Sequence, residues 1–442
     1  MNSFSDNKPV NVGLLGLGVV GGGVAEALLE QPHAIAGQVG RPVHLKKALV
    51  RDPSRNRDLF LPPGVITTNP EDILADPEIS VVVEVIGGED PAARYLEGAL
   101  AGGKHVVTAN KEVMAKRGPE LLSLARENGL NLLYEASVGG GIPIIGCLSR
   151  ELAANRFRSV RSIINGTTNY ILTRMANDHT DFSLALAEAQ ERGYAEADPT
   201  NDVEGYDAVY KLSILAGLAF QRRVAPQDIY REGIGRLQLQ DFRYAHELGY
   251  AIKSLAIATR EDGADNGADG AIQARVYPAL IPQDTMLGKV DGVYNAVEVE
   301  GSLCGQVLIH GRGAGRGPTT SAVVGDLIEI ARNLQTGPCP LPAGTIEESG
   351  SIRSIDDLVC KYFLRLNIAD RPGVLAQIAR ILGEQDISIA SVLQKDADPA
   401  AQTAEIVITT HPARESSVQK SLKLAAELEV VQEINSLLRI ED

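Results

Sequence analysis

The chain has 442 residues, 44% hydrophobic and 22% charged, enough for two or three domains that each bury a core. Its 42 basic and 57 acidic side chains leave a net charge of −15, which argues against a general grip on nucleic-acid phosphates, and no apolar run approaches the roughly 20 residues that span a bilayer. Residues 1–9 are polar, and Cys147, Cys304, Cys339 and Cys360 form no Cys-x-x-Cys. The expectation is a cytoplasmic protein with no membrane or nucleic-acid partner, no zinc cage and no disulfide framework. Aromatics at 4%, no Trp and 44 glycines favour an aliphatic α/β core with tight turns over a base-stacking platform.

In chain order, the first third alternates β-branched runs with helical patterns. Strands are predicted at 10–15, 43–50, 65–67, 79–86, 105–109 and 130–135, as in a Rossmann-type doubly wound parallel sheet. The run Ser80-Val81-Val82-Val83-Glu84-Val85-Ile86 reads as a strand buried on both faces. From Gly139 the rhythm changes: helices at 184–192 and 207–220 precede strands at 271–280, 296–299 and 305–309, an α+β second domain. The acidic, glycine-rich stretch 261–270 reads as an exposed loop. A long helix at 319–334 precedes a Pro/Gly-rich boundary. The last 80 or so residues read strand 362–368, helix 373–383, strands 388–394 and 405–409, helix 416–428 and strand 430–434, a βαββαβ unit. The expected domains are 1–138 with a returning helix at 316–335, then 139–315, a linker at 336–360, and 361–442.

Gly16-Leu17-Gly18-Val19-Val20-Gly21 fits G-x-G-x-x-G between the first strand and a helix. There the glycines allow a tight turn and bring backbone N–H groups close to a pyrophosphate at a helix N-terminus. Arg51-Asp52 follows the second strand, about 30 residues beyond the glycines instead of about 20. Arg51 reads either as a 2′-phosphate contact, favouring NADP over NAD, or as a surface arginine. Lys111, in Thr108-Ala109-Asn110-Lys111, lies just beyond the carboxyl end of a parallel strand, where open α/β sheets bind ligands. Residues 193–211 gather Glu196, Asp198, Asp202, Glu204 and Asp207 ahead of Lys211. Asp207 and Lys211 stand at i and i+4 on one helix face; that spacing suits a surface ion pair as well as a lysine tuned by carboxylates to hold or relay a proton.

These motifs, with Tyr134-Glu135-Ala136-Ser137-Val138-Gly139-Gly140-Gly141-Ile142-Pro143, Asn165-Gly166-Thr167-Thr168-Asn169-Tyr170-Ile171-Leu172 and Gly311-Arg312-Gly313-Ala314-Gly315 through Pro318-Thr319, resemble the monofunctional homoserine dehydrogenases that carry a C-terminal ACT domain, over nearly the whole chain. No aspartokinase-like segment precedes the glycine-rich start, so the bifunctional fusion is not the expectation. The resemblance implies reversible NAD(P)H-dependent reduction of L-aspartate 4-semialdehyde to L-homoserine in threonine, methionine and isoleucine biosynthesis, by a homodimer or homotetramer. It implies that Lys211 meets the reacting oxygen and Lys111 takes part in proton transfer. Glu196 and Asp207 would orient the substrate ammonium and the lysine, Asp202 would support them, and Gly166 and Thr167 would touch substrate. Ile86, Gly87 and Gly315 join the glycine loop, Arg51 and Lys111 around the cofactor. Glu135, Val138, Gly140 and Ile142 occupy the places of a structural monovalent cation, Na⁺ or K⁺, whose alternative is a plain glycine hinge.

Asp370-Arg371-Pro372-Gly373-Val374-Leu375 sits between the first strand and first helix of the βαββαβ unit and resembles an ACT ligand loop. Asp370, Arg371, Gly373, Val374 and Leu375 are the candidate effector residues, with L-threonine or another pathway amino acid expected. The same loop would also serve a dimerisation module that binds nothing.

Overall fold

The structure, a computed structural model, describes residues 8–261, 270–336, 352–398 and 400–441. Most of the predicted loop at 261–270, residues 337–351 of the predicted linker and Cys339 lie outside the described residues. Among the described residues no helix is long and apolar enough to cross a membrane. The chain forms two compact units, one from the described parts of 1–160, 210–226 and 299–350, the other from those of 161–209, 227–298 and 351–442.

The first unit is built on a six-stranded parallel sheet. Its order is Ile66–Thr67, Val43–Leu49, Val10–Leu15, Ile79–Glu84, His105–Thr108, Leu132–Leu133. The order reverses between the first strand and Ile79–Glu84, the switch point at which such sheets open a crevice. Val81, Val82 and Val83 are fully buried, as a strand covered on both faces requires. The predicted strand 79–86 stops at Glu84 because that side chain turns back and accepts hydrogen bonds from the amides of Ile86 (2.7 Å) and Gly87 (3.4 Å). The predicted strand 130–135 shortens to Leu132–Leu133, since the amide of Ser137 turns to the Tyr134 carbonyl (3.0 Å) and a 3-10 turn, Glu135–Ser137, follows.

The helix Arg316–Thr336, which extends the periodic pattern 319–334 at both ends, lies along the helix Val19–Glu30. Val323, Leu327, Ile330 and Ala331, spaced as one helix face, join Val10, Val12 and Leu14 in one core. The approach is close enough that a side chain at Gly23 would overlap the Thr320 hydroxyl, and Arg316 pairs with Glu26 at 2.8 Å.

In the second unit the strands Tyr250–Arg260 and Ile272–Pro282 pair antiparallel over their full length, from Arg260↔Ile272 to Tyr250↔Pro282. The first of these was not predicted. The C-terminal segment forms the expected βαββαβ pattern: Val359–Ala369, helix Val374–Glu384, Ile389–Asp398, Thr403–Thr410, helix Glu415–Ala426, Val431–Ile440. Its last strand extends six residues past the predicted end, and there it pairs parallel with the hairpin at Ala279↔Arg439 and Leu280↔Ile440. The C-terminal unit and the hairpin therefore share one sheet.

Two buried arginines tie this junction, and a third ties the C-terminal segment to the helix Leu239–Glu247. Arg439, with no exposed surface, grips Glu415 through two nitrogens (2.6 and 3.0 Å) and Glu232 through the third (2.6 Å). Arg275 bonds Glu441 at 2.8 Å and the Tyr277 hydroxyl at 2.7 Å. Arg365 bonds Asp241 at 2.8 Å, Glu405 at 2.6 Å and Gln238 at 2.7 Å. Burial alone would raise the Glu415 carboxyl, but the Arg439 guanidinium outweighs it and holds the group below the usual range. Glu415 thus contributes stability that is present above the unfolded carboxylate pKa and is lost as pH falls through its depressed folded value. Replacing Arg439 by Leu leaves Glu415 buried without its charge partner and should destabilise the protein by about 3–5 kcal/mol in urea unfolding at pH 7. It should also flatten the acid limb of the stability profile; an unchanged profile would show that the pair is not what holds the junction.

Candidate active site

The glycine-rich turn in the first unit has the geometry its sequence promised. Gly16 adopts φ +101°, and a side chain there would stand 3.0 Å from the Val85 carbonyl oxygen. A side chain at Gly21 would overlap the Gly16 carbonyl. Gly18 caps the helix Val19–Glu30 without a side-chain hydrogen bond, and the space beside its Cα is open. The first-turn amides are therefore set toward an anion, with the helix dipole in support. Leu17 is buried, Val20 half-buried and Val19 exposed. Arg51 is exposed at the end of its strand, while the Asp52 carboxylate is committed to its own loop through the Ser54 amide (2.9 Å) and hydroxyl (2.6 Å).

Glu84 is the residue that sequence reasoning passed over here. Fully buried, it receives the Thr108 hydroxyl at 2.5 Å and the Ile86 amide at 2.7 Å. Asn110, within 3.5 Å of the same carboxylate, donates to the Gly88 carbonyl at 2.7 Å and accepts from the Val113 amide at 3.1 Å, capping the helix Lys111–Glu127. One carboxylate thus fixes two loops at the carboxyl edge of the sheet: the half-buried Ile86 with Gly87 (φ +82°), and the turn that presents half-buried Lys111. The available signal was a charged residue inside a run of valines, which a strand buried on both faces does not hold without partners.

Gly315 has φ +116° and opens the helix Arg316–Thr336, its carbonyl accepting from the Thr319 amide at 3.1 Å. Glu135 accepts the amides of Ile145 (2.8 Å) and Gly146 (2.7 Å), and its own amide donates to Asp326 at 2.9 Å. Burial raises the carboxyls of both Glu135 and Asp326. A cation in this turn would rest mostly on main-chain carbonyls, at the places of Glu135, Val138, Gly140 and Ile142, an oxygen set that suits a monovalent ion. Gly140 (φ +49°) has no room for a side chain against the Gly313 carbonyl, at 2.5 Å. Close packing of this turn therefore accounts for its glycines with or without an ion.

In the second unit Asn165 gathers the carboxylates. Its Nδ2 donates to Asp202 at 2.7 Å and to Asp207 at 2.8 Å, while its Oδ1 accepts the Thr168 amide at 2.8 Å and caps the helix Gly166–Asp178. Gly166 is pressed against the Val293 carbonyl, 2.9 Å from where a Cβ would sit, and Thr167 donates to the Tyr194 carbonyl at 2.6 Å. Asp207 and Lys211, both buried, lie one turn apart on the helix Tyr206–Phe220. Glu196 is exposed, and its carbonyl accepts from Gln190 at 3.1 Å. Asp202 and Asp207 are thus brought together, and the exposed Glu196 stays outside this pairing. Asn165, quoted in a motif but given no role, is the tether; an Asn ahead of Gly-Thr-Thr at a helix start is its signal.

In the C-terminal unit Gly373 (φ +88°) caps the helix Val374–Glu384, whose first residue Val374 is buried. Asp370, Arg371 and Leu375 are exposed, and the Asp370 amide is tied to the Gln402 carbonyl at 2.9 Å.

Comparison with known proteins agrees along the chain. Residues 16–135 match the NAD-binding domain of homoserine dehydrogenase, 143–328 the homoserine dehydrogenase family and 362–430 the ACT domain. A homoserine dehydrogenase from Synechocystis is 43% identical over 436 residues, 98% of this chain and 99% of its own. The crystal structure of a homoserine dehydrogenase from Thiobacillus denitrificans superposes with a TM-score of 0.91 at 42% identity, over 98% of this chain and 99% of that one. A hyperthermophilic archaeal homoserine dehydrogenase in complex with NADPH is similar at a TM-score of 0.62 and 25% identity, over 75% of this chain and 99% of that one.

Burial raises the Glu84 carboxyl above its usual range against the pull of its four donors, so the folded state holds this proton more tightly than the unfolded chain does. Its contribution to stability is full below the unfolded carboxyl pKa, about 4.3, and is lost as pH rises through the higher folded value. Glu84→Gln should lack that decline, so the gap between its urea midpoint and the native one should change with pH above about 5; parallel profiles would refute the assignment.

Proposed function

The chain belongs to the homoserine dehydrogenase family and is an NAD(P)-dependent oxidoreductase, and on that premise we propose how its residues divide the work. The reaction interconverts L-aspartate 4-semialdehyde and L-homoserine, and nicotinamide, when bound, supplies or takes the hydride at the carbonyl carbon. In the reducing direction negative charge develops on the aldehyde oxygen. The Lys211 ammonium stands against that oxygen, stabilises the charge and gives up a proton to form the hydroxyl; Lys111 serves proton transfer beside it. Glu196 and Asp207 hold the substrate ammonium and orient Lys211, Asp202 supports them, and Gly166 and Thr167 touch the substrate. The observation that carries this reading is the Asn165 tether, which holds Asp202 and Asp207 together at the start of the helix bearing Lys211.

On the cofactor side, the glycine loop from Gly16 to Gly21, with Ile86, Gly87, Lys111 and Gly315, receives the dinucleotide. The exposed Arg51 beside an Asp52 turned onto its own loop favours NADP over NAD. A structural Na⁺ or K⁺ rests on the carbonyls of the turn from Glu135 through Val138 and Gly140 to Ile142. The loop Asp370, Arg371, Gly373, Val374 and Leu375 takes L-threonine as feedback inhibitor, supported by the match to the ACT domain. The functional division is 1–138 with the returning helix 316–335, 139–315, a linker at 336–360 and 361–442, in a cytoplasmic homodimer or homotetramer.

Initial rates of homoserine oxidation with NADP and with NAD, each with and without L-threonine, test these points together. The expected result is turnover with both cofactors, faster with NADP, and inhibition by threonine; a preference for NAD would remove Arg51 from its role, and indifference to threonine would remove the effector loop. Lys211→Ala should lower kcat by at least about a hundredfold with unchanged circular dichroism. Near-normal turnover in that variant would overturn its role.

A further inference from the structure

The loop that carries Asp202 and Asp207 is held from below by residues outside every motif. Arg231 lies on a two-residue strand, Tyr230–Arg231, that pairs parallel with Arg275 and Val276 of the hairpin strand Ile272–Pro282. Its guanidinium donates to the Glu204 carbonyl oxygen, stands 3.6 Å from the Glu204 carboxylate and stacks over the Tyr206 ring at 3.7 Å from the centroid. Between those two residues Gly205 adopts φ +82°, and a Cβ there would stand 3.3 Å from Val276 and 3.4 Å from the Arg231 stem. The chain beyond Arg231 closes the other side: the Ile234 amide donates to the Val203 carbonyl at 3.0 Å, and Gly233 lies so close to that carbonyl that a Cβ would approach within 2.8 Å.

We propose that Arg231 is a positioning residue that sets substrate affinity by clamping the loop between Asp202 and Asp207, and that the C-terminal domain anchors the clamp through Glu232 and Arg439. The proposal deepens the functional reading above and rests on its assignment of Asp202 and Asp207 to the substrate. The Glu204 carboxylate is half-exposed, so the ion pair itself is worth little. What locates the loop is the carbonyl bond together with the guanidinium lying over the Tyr206 ring, a pairing that suits arginine better than lysine. The anchor is different in kind. Glu232 follows Arg231 directly, fixes its amide on the Val276 carbonyl at 2.8 Å, and accepts Arg439 at 2.6 Å and the Tyr230 hydroxyl. Arg439 in turn is fully buried and held by Glu415, so Glu232 cannot swing away without leaving a buried guanidinium short of a partner. The path from the C-terminal strand to the substrate loop is thus continuous: Arg439, Glu232, Arg231, then Glu204 and Tyr206.

Two measurements on the full-length protein test this. Hydrogen exchange of the ligand-free chain reads the clamp directly, whatever the enzyme acts on. Arg231→Ala should accelerate exchange across residues 203–209 by about tenfold or more, Arg231→Lys less, and Glu232→Gln in the same direction more weakly. Steady-state kinetics read its consequence: Arg231→Ala should raise the homoserine KM about tenfold while the NADP KM stays within about twofold. Unchanged exchange in Arg231→Ala overturns the clamp, and unchanged exchange in Glu232→Gln overturns its anchor. Equal rises of both KM values with a lowered Tm would make Arg231 a general stabilising residue and overturn the affinity role. If the native protein does not oxidise homoserine, the functional reading fails, and the exchange data alone decide the clamp.

Discussion

The second unit depends on a buried guanidinium. Arg439 sits on a strand that pairs on one side with the first strand of the βαββαβ segment and on the other with the long hairpin, and its nitrogens reach Glu415, at the start of the segment's second helix, and Glu232, just after the short strand Tyr230–Arg231. Taking such a group out of water is unfavourable unless its bonding positions are met, and meeting them requires Glu415, Glu232 and the strand register to be right at once. Aliphatic packing around Phe363, Leu438 and Ile440 would tolerate small slips; the charge cluster does not. Arg275 with Glu441 repeats the device along the same junction, and Arg365 with Asp241 repeats it between the C-terminal segment and the helix Leu239–Glu247. The segment that matches the ACT domain is therefore wired into the hairpin by side chains as well as by backbone pairing.

The first unit uses the opposite charge for the same purpose. Glu84, on a strand covered on both faces, collects donors from two loops that the parallel sheet leaves at its carboxyl edge. A doubly wound sheet brings those loops near each other but does not fix their backbones. A single buried acceptor does so, because leaving an amide or a hydroxyl unpaired in that environment costs more than adjusting the loop. Asn165 performs the neutral version in the second unit, with donors turned toward two carboxylates and its acceptor capping a helix. In each case the residues named by the motif are held by a polar residue one layer behind them.

How much of this was legible in the sequence follows from the same physics. The strand Val10–Leu15 and the turn after it could be read to the residue, since apolar run, glycine spacing and helix start agree there. The carboxylate cluster before Lys211 was legible as composition, but the partner that joins Asp202 to Asp207 lies some 40 positions earlier. The strand Tyr250–Arg260 was missed because its alanines and Lys253 blur the apolar pattern; Lys253 is buried, meeting the Val290 carbonyl and Asp291, both at 2.7 Å. The final strand was read only to Ile434, since the polar pair Asn435-Ser436 and then Arg439 interrupt the apolar run. An arginine in a short apolar run looks like an edge, and only the folded chain supplies the carboxylates that let it lie inside. Arg231 carried no signal, since its main partners are a carbonyl and a ring, and the Glu204 carboxylate beside it lies 27 positions earlier.

The pairing of Ala279 with Arg439 joins positions about 160 residues apart, and it has a bearing on the order in which the second unit assembles. The hairpin and the two helix-bearing halves of the βαββαβ segment are local and can form early. The junction must close a loop of about 160 residues before its contacts give any return, so it is expected to gain amide protection late during refolding. Until it does, the edge of the hairpin strand Ile272–Pro282 at Ala279 and Leu280 presents unpaired N–H and C=O groups, flanked by apolar side chains, to other chains. The charges gathered there then act during folding as well as after it: Arg275, beside that edge, penalises any aliphatic strand that docks in place of the one ending in Arg439-Ile440-Glu441, because such a strand brings no carboxylate to meet it.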